Sequence, residues 1–351
     1  MMIDWKDPRL EHEWKFLQID PHNLDTIRGE LTGVALDGCS LSFGYETETR
    51  TSAKIKVIES DYIGGSWIRI VDTIPETGYR EEIGTFIVAG ISGDTMETGM
   101  HTTEYELQSV LWALKEDYSG GHWTIGQGAY ALTAIDAVAK LCEKAIRHKA
   151  GAYDYRYGAS KAYDMGTSYL SILKDICTTS GNYLSVDGHG RITIEPYLQP
   201  KERGISWELD ATSERSMILD SGIDASTSLY DMESRAIVTF SGDNREITAQ
   251  ADVPASSPAS PQHRGYTKAK VYNASDLQPQ TQAAAQALAN RYVANNAYGV
   301  SYSMTTMYFP CHCGEAVRYT DLQGVRHVCT IKNVDSISLS SLTQKLTLKE
   351  V

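Results

Sequence analysis

The chain has 351 residues, a formal net charge of -13 and a hydrophobic fraction of 42%, values that allow two or three soluble globular domains. No stretch approaches the roughly 20 consecutive apolar residues of a membrane helix, and the charged N-terminus shows no apolar secretion signal. Basic residues never run beyond two in a row, so tight binding to nucleic-acid phosphates is not expected. The six irregularly spaced cysteines predict reduced thiols rather than a disulfide framework.

Short strands with two-residue periodicity dominate the first third of the chain. After an N-terminal arm or edge strand at residues 1–27, the pattern predicts strands at 30–36, 39–43, 53–59, 67–72, 81–92 and 102–108. Turns containing Gly or Pro separate them. This arrangement predicts a small antiparallel β-barrel or sandwich with its arm at residues 1–108.

A compact α/β module is predicted at residues 109–200. Its first helix follows Gly128, and its second is capped by Thr167 or Ser168 and ends at Gly181, a residue that tolerates positive φ. The apolar face of the second helix is predicted to contain Leu170, Leu173, Ile176 and Cys177. A hairpin follows, with strands at 183–186 and 192–195 around a turn at 187–190.

The β pattern resumes after the module and is interrupted once. Strands are predicted at 205–209, 217–223, 227–230 and 235–241, and again through the tail, so that residues 201–243 and 300–351 form a second barrel. Between them lies an insertion at 244–299. It contains an exposed Pro/Ser-rich loop at 251–262 and a helix running from the cap residue Thr281 to about Asn296.

Four pairs of segments indicate that the two barrels are related. Residues 67–72 match 316–321, residues 87–91 match 330–334, residues 105–107 match 345–348, and residues 53–57 match 235–239. The predicted fold is therefore α+β and mostly β. It consists of two related small antiparallel β-barrels, an inserted α/β module and a further helix-containing insertion.

A cysteine cluster is the best candidate for a metal site. Cys311 and Cys313 could point to one face of a strand, and a facing strand could add Cys329 or His327. The C-x-C spacing lacks the turn that C-x-x-C places around zinc, so buried thiols beside a β-turn are the more ordinary explanation of the cluster. No nucleophile elbow, phosphate loop or metalloprotease motif is found, and we assign no catalytic or cofactor-binding residue.

Other polar and aromatic clusters each allow two interpretations. Asp187 and His189 lie at the predicted hairpin tip, where they could serve the turn or act catalytically. The tyrosines at 153, 155, 157 and 163 could form a contact surface or pack within a loop. Trp67, Trp112 and Trp123 could be sugar platforms or core residues.

Several segments together resemble the tail-hub proteins of tailed phages, which include the hub region of siphophage tail-tip proteins and the baseplate hubs of contractile tails. Residues 169–194 are similar to the family's central helix, Gly and hairpin with D-x-x-G at its tip. The C-terminal order is also similar: an Ala-rich helix opening at Thr281, then Pro310, then 314–317, and a closing strand at 345–348.

The resemblance implies a structural protein of the virion tail, assembled in the bacterial cytoplasm. It implies a homotrimer whose two barrels per chain form a pseudo-sixfold ring capping the tail tube, with the distal tail protein above and the tape-measure protein within. DNA would pass without specific binding, and no membrane insertion or enzymatic activity is implied. Because the sequence ends at Val351, directly after the last predicted strand, we expect any lysin to be a separate protein.

Two other classes of function remain open on the sequence alone. One is a glycan-acting enzyme or carbohydrate-binding β-rich protein, which a carboxylate pair in a Trp-lined cleft would support. The other is a secreted adhesin, which the absent signal sequence disfavours.

Overall fold

The computed structural model describes residues 3–7, 9–45, 47–95, 99–198, 202–219, 223–227, 232–242, 245–274, 281–296 and 299–351. Strands make up 47% of the structure and helices 16%, which confirms the prediction of a mostly β chain with helices. Within the described ranges, no helix is both long and apolar enough to span a bilayer.

Twenty-one strands and five α-helices are formed by the described residues. The N-terminal region contains β1 (Glu13–Asp20), β2 (Asn23–Glu30), β3 (Ser40–Gly44), β4 (Thr51–Ile58), β5 (Trp67–Ile74), β6 (Tyr79–Thr95) and β7 (His101–Ser109). The middle of the chain contains α1 (Leu111–Glu116), β8 (Trp123–Ile125), α2 (Ala131–Leu141), β9 (Ile146–His148), β10 (Lys161–Tyr163), α3 (Tyr169–Ser180), β11 (Asn182–Val186) and β12 (Ile192–Pro196).

The C-terminal region alternates between two groups of strands. It contains β13 (Ile205–Asp210), β14 (Asp224–Thr227), β15 (Arg235–Gly242), β16 (Arg245–Asp252), α4 (Pro261–Arg264), β17 (Ala269–Asn273), α5 (Gln282–Asn296), β18 (Val300–Met307), β19 (Ala316–Thr320), β20 (Arg326–Ser338) and β21 (Thr343–Glu350).

One continuous sheet joins the two ends of the chain. Its described strands fall into a first half-sheet (β1–β7) and a second half-sheet (β13, β14 and β18–β21), which meet where β20 pairs with β3. Apolar side chains from both halves share one core, with Ile55 and Leu107 from the first and Ile331 and Leu346 from the second. Neither half-sheet closes on itself through the described strand pairs, so the barrel form of each half stays a prediction.

The two half-sheets repeat the same strand order and the same irregularity. In the first, β5, β6 and β7 form an antiparallel meander, and β4 pairs with β7. In the second, β19, β20 and β21 form the same meander, and β18 pairs with β21. A register shift in β6 between Val88 and Gly90 matches one in β20 between Ile331 and Asn333. Because bulges are specific local features of a pairing, this coincidence supports three of the four predicted correspondences.

The fourth correspondence, between 53–57 and 235–239, does not hold. The pairings make β18, rather than β15, the counterpart of β4. β15 instead pairs with β16 and β17 in a separate three-stranded sheet, although the sequence placed residues 235–241 in the second barrel. Alternation of apolar and polar residues specifies a strand with one buried face, but it does not specify the neighbouring strand.

Two strands at the sheet periphery also differ from expectation. β13 pairs with β19 in parallel, whereas the sequence predicted antiparallel pairing throughout. More than 100 residues separate these strands in the chain, so no hairpin turn fixes their relative direction. The predicted strand at 30–36 is replaced by the end of β2 and a 3-10 turn at Leu36–Gly38.

Helix α3 and the hairpin that follows it form as predicted, whereas the bounds of the α/β module stay a prediction. The Ser168 hydroxyl caps the helix by accepting a hydrogen bond from the Ser171 amide, and Gly181 ends it at a φ of 72°. The predicted apolar face is buried, and the β11–β12 hairpin forms with the predicted turn. These local signals were sufficient because caps, turn residues and periodicity all indicate the same structure.

The Pro/Ser-rich segment is exposed only in part, although its composition predicts an exposed loop. Val253, Ser257, Ala259 and Ser260 are all buried. Hydroxyl groups satisfy the local backbone, since Ser234 donates to the Ala259 carbonyl and Ser260 to that of Ala255. Small side chains with hydroxyl groups can thus pack closely, a property that a hydropathy count does not capture.

Candidate assembly site

The tip of the β11–β12 hairpin is inserted against the first half-sheet. Gly188 lies so close to β6 that a Cβ atom at this position would overlap the carbonyl oxygen of Glu82. The His189 imidazole pairs with the Glu82 carboxylate, and the Thr85 hydroxyl donates to the Gly188 carbonyl at 2.8 Å. The hairpin tip therefore fixes the α/β module on the sheet.

Arg69 is the buried centre of this contact. Its side chain donates from Nε to the Thr85 hydroxyl at 2.9 Å, and from Nη2 to the carbonyls of Leu24 at 2.7 Å and His189 at 3.1 Å. Only 4% of the residue is exposed. Burial lowers the pKa of Arg69, and the nearby Arg191 guanidinium lowers it further. Three good acceptors compensate the desolvation of a charge that would otherwise be costly to bury.

A stack of aromatic rings and guanidinium groups joins three parts of the chain. The Tyr45 and Tyr183 rings stack with centroids 4.9 Å apart and an 8° angle between their planes. Arg50 lies over Tyr183 at 4.5 Å, and Arg203 donates to the Tyr45 hydroxyl at 3.0 Å. Burial raises the pKa of both Tyr45 and Tyr183, so both rings stay neutral. The stack connects the first half-sheet, the α/β module and the segment before β13.

A cleft of about 450 Å³ opens beside this stack. Its walls include Tyr45, Tyr183 and Arg203, together with Cys313 and Gly314 from the second half-sheet. The cleft therefore lies where separate parts of the chain meet. The Arg203 guanidinium in its wall donates to the carbonyls of Leu198 and Gly314 and so links the segment before β13 to the second half-sheet.

The three cysteines proposed as metal ligands occupy separate environments. Cys311 is buried and its thiol approaches the Gln344 side-chain oxygen at 3.8 Å, whereas Cys313 lines the cleft and Cys329 is fully buried on β20. Burial raises the pKa of all three thiols, to about 12 for Cys313 and Cys329. Within the described ranges, no group of three or more His, Cys, Asp or Glu residues could hold a metal ion.

The two histidines near these cysteines pair with carboxylates instead. His312 lies beside Glu315 and Glu81, and the hydrogen bond with Glu315 raises its pKa. His327 bridges two carboxylates, with Nε2 3.2 Å from Asp321 and Nδ1 3.1 Å from Glu350. Desolvation opposes a charge on His327, but the hydrogen bonds to these carboxylates raise its pKa overall. Both residues therefore pair with carboxylates, and these contacts favour the protonated imidazole.

The remaining candidate residues have structural partners. The Asp187 carboxylate accepts from the Arg191 amide within the hairpin turn. Tyr157 and Tyr163 are buried in the α/β module, whereas Tyr153 is 47% exposed. Trp67 and Trp123 pack against the module core, and Trp123 stacks on Tyr163. In the structure, both tryptophans therefore pack against the core.

Sequence reasoning did not identify Arg69, Arg203 or Tyr45. A signal existed for Arg69, because it is the only charged residue before the final Asp in the apolar strand segment WIRIVD. A cation on the buried side of a strand requires partners. Those partners come from distant parts of the sequence, so only the structure identifies them.

No family model matches the sequence, and a search of curated proteins finds no match. The fold, in contrast, matches solved structures along almost its entire length. A tail protein from Neisseria meningitidis has 14% sequence identity and a TM-score of 0.69, covering 97% of this chain and 96% of that one. The 43 kDa tail protein of prophage MuSo2 from Shewanella oneidensis has 11% identity and a TM-score of 0.63, with 96% and 98% coverage.

A third similar structure belongs to a secretion system. It is an E. coli component of the type VI secretion system that exhibits structural similarity to the T4 tail proteins gp27 and gp5. Identity is 10% and the TM-score is 0.52, covering 92% of this chain and 75% of that one. The chain thus has the fold of phage and prophage tail proteins, which confirms the resemblance to the tail-hub family at the level of fold.

Proposed function

We propose that this chain, which has the fold of phage tail proteins, is a structural component of a phage or prophage tail tip. In this proposal it is the tail hub or baseplate hub. Three copies form a ring that caps the tail tube.

The duplicated half-sheet is the observation that carries this proposal. Each chain contains two units with the same strand order and the same bulge, so three chains supply six similar units. A trimer built in this way can contact a sixfold tube through six nearly equivalent surfaces, as closed symmetric assemblies require. The junctions formed by Arg69 and by the Tyr45–Tyr183 stack would then hold the remaining parts of each chain in a fixed position on the ring.

The proposed partners follow from the position of the ring in a tail. They are a distal tail protein above the ring, a tape-measure protein within it, and DNA that passes through without specific binding. The net charge of -13 supports the last point, since the counterion release that drives binding to phosphates needs clustered cations. The proposed location is the virion tail, after assembly in the bacterial cytoplasm.

We propose that the chain acts without catalysis. The clustered His, Asp and Arg side chains described above form ion pairs and hydrogen bonds that join elements. We also propose four parts with separate roles: residues 1–108, residues 109–200, residues 201–243 with 300–351 but without β15, and residues 244–299 together with β15. The first and third would form the ring, each as a small barrel.

Light scattering behind a sizing column, over a range of protein concentrations, tests the proposal. A mass of three times the 38.8 kDa of one chain is expected. The fraction of chains in this species should increase as the protein concentration rises. A species that remains a single chain at the highest concentration would contradict the trimeric hub.

A further inference from the structure

A strand edge that is covered in the second half-sheet is open in the first. In β20, residues 326–330 pair with β19, and residues further along the same edge pair with β3. In β6, the equivalent edge pairs with β5 only as far as Phe86. Beyond that residue, none of the described strands pairs with this edge of β6, whose other edge is occupied by β7.

Register assigns the residues on the open edge. Ile91 pairs with Tyr105 after the β6 bulge, and Val334 pairs with Leu346 after the equivalent bulge of β20. Ile91 therefore occupies the position of Val334. Val334 is fully buried, whereas Ile91 is 60% exposed. The partner of Ile91, Tyr105, is buried, and paired residues share a face of the sheet. Ile91 thus lies on the core-facing side without the cover that Val334 has.

β14 is the counterpart of β3. β3 pairs with β4 through Leu41 and Ala53, and β14 pairs with β18 through Ala225 and Tyr302, at matching register. The other edge of β3 pairs with β20, whereas no described strand pairs with the other edge of β14. Burial differs accordingly, since Leu41 is 1% exposed and Ala225 is exposed.

The two open edges are complementary to each other. Within the chain, Phe43 of β3 pairs with Val334 of β20, so the equivalent pair is Thr227 of β14 with Ile91 of β6. Continuing the antiparallel register places Ala225 opposite Gly93. In the order of the sheet, six strands separate β14 from β6, and none of the described strand pairs joins the two within one chain.

We infer that β14 of one copy of this chain pairs antiparallel with β6 of the next copy, as β3 pairs with β20 within each copy. Unpaired strand edges favour such addition, and it would cover Ile91. The contact joins unlike surfaces head to tail, so repeating it generates a ring or an open filament. Closure of the ring at three copies rests on the proposed function, but the strand pairing requires only a second copy.

The inferred register can be tested by a disulfide. We expect the Ile91→Cys/Thr227→Cys double variant, mildly oxidised, to form intermolecular disulfides that peptide mass spectrometry assigns to positions 91 and 227. The matched control is Ser92→Cys/Thr227→Cys, because a shift of one residue turns the side chain to the opposite face of the sheet. The unaltered chain controls for its own cysteines, of which all but Cys313 are buried. Equal cross-linking of both double variants would overturn the register.

A charge substitution tests the contact independently of cysteine chemistry. Ile91→Asp should abolish association or weaken it at least tenfold, because it places a charge in a buried strand contact. Folding should be unaffected, since Ile91 is exposed in the single chain, and circular dichroism checks this. Val271→Asp is the matched control, on an exposed residue of β17.

The outcomes separate this inference from the proposed function. A trimer that forms without the 91–227 disulfide and tolerates Ile91→Asp would overturn the inferred pairing and leave the hub intact. Disulfide-linked chains extending beyond three copies would support the strand pairing and contradict the closed trimer. A single chain at all concentrations, with no disulfide, would contradict both.

Discussion

At the scale of single residues, the buried Arg69 side chain joins β6, the end of the β1–β2 hairpin and the tip of the β11–β12 hairpin. Replacing it with Met keeps much of the volume but removes the donors to the Thr85 hydroxyl and to the Leu24 and His189 carbonyls. We expect Arg69→Met to lower the free energy of unfolding by about 2–4 kcal/mol, because buried acceptors lose charged donors. Amides at the hairpin tip should exchange hydrogen faster.

The control for Arg69 is Arg9→Met. The Arg9 side chain is 87% exposed and pairs only with the nearby Asp7 among the contacts of the described residues. This variant should stay within about 0.5 kcal/mol of the unaltered chain. Equal effects of the two substitutions, measured by urea unfolding, would contradict a special role for Arg69.

His327 should make the stability of the fold depend on pH. Its folded-state pKa is raised above the usual value of 6.5 by its hydrogen bonds to Glu350 and Asp321, despite desolvation. The charged pair therefore stabilises the fold fully below pH 6.5, and this contribution is lost as pH rises through the folded-state pKa. We expect His327→Gln to destabilise the chain more at pH 5.5 than at pH 8.5.

Two measurements check the His327 prediction. Thermal unfolding of both chains across this pH range gives the stability difference, and an NMR titration of the His327 ring gives its pKa directly. His122→Gln is the control, because the His122 side chain is 76% exposed. A stability difference that is constant, or that grows with pH, would be inconsistent with the raised pKa.

At the scale of elements, the contact between the hairpin and the first half-sheet depends on glycine. Gly188→Ala should destabilise this contact by about 1–3 kcal/mol, because the added methyl group would overlap the Glu82 carbonyl and force β6 or the hairpin to move. Hydrogen exchange at β11, β12 and the Glu82 region of β6 should rise.

The control for this element is Gly64→Ala. A Cβ at Gly64 would meet no atom within 4 Å, and this glycine does not adopt a positive φ. Its exchange profile should match that of the unaltered chain. Should Gly188→Ala leave β6 as protected as before, the close approach would not hold in solution.

Elements governed by local chemistry were predictable from sequence, and elements governed by distant partners were not. The N-cap Ser168, the C-terminal Gly181 and the hairpin turn all lie within a few residues of the structure that they specify. The neighbour of β15 and the parallel direction of β13 depend on segments far away in the chain, and alternation of apolar residues carries no information about them. The hydrogen bonds of Arg69 and the Tyr45–Tyr183 stack also join distant segments, so the sequence did not predict them.

At the scale of the whole molecule, the continuity of the sheet was the least predictable feature. The sequence indicated two related β units, but not that β3 of the first would extend the second through β20. This contact joins the two half-sheets within a chain, and it is the pattern for the contact that we infer between chains. A repeat joined to itself by strand pairing leaves one complementary edge at each end, and symmetric closure satisfies both edges.

Electron microscopy of the purified protein, at a concentration where it associates, tests the central claim most directly. The central claim is that both half-sheets of each chain occupy equivalent positions in a ring of three chains. End-on class averages should show a central hole surrounded by six lobes. The lobes should be of two alternating kinds, related by a threefold axis. Closed rings with a number of lobes other than six, or particles no larger than one chain at every concentration, would contradict it.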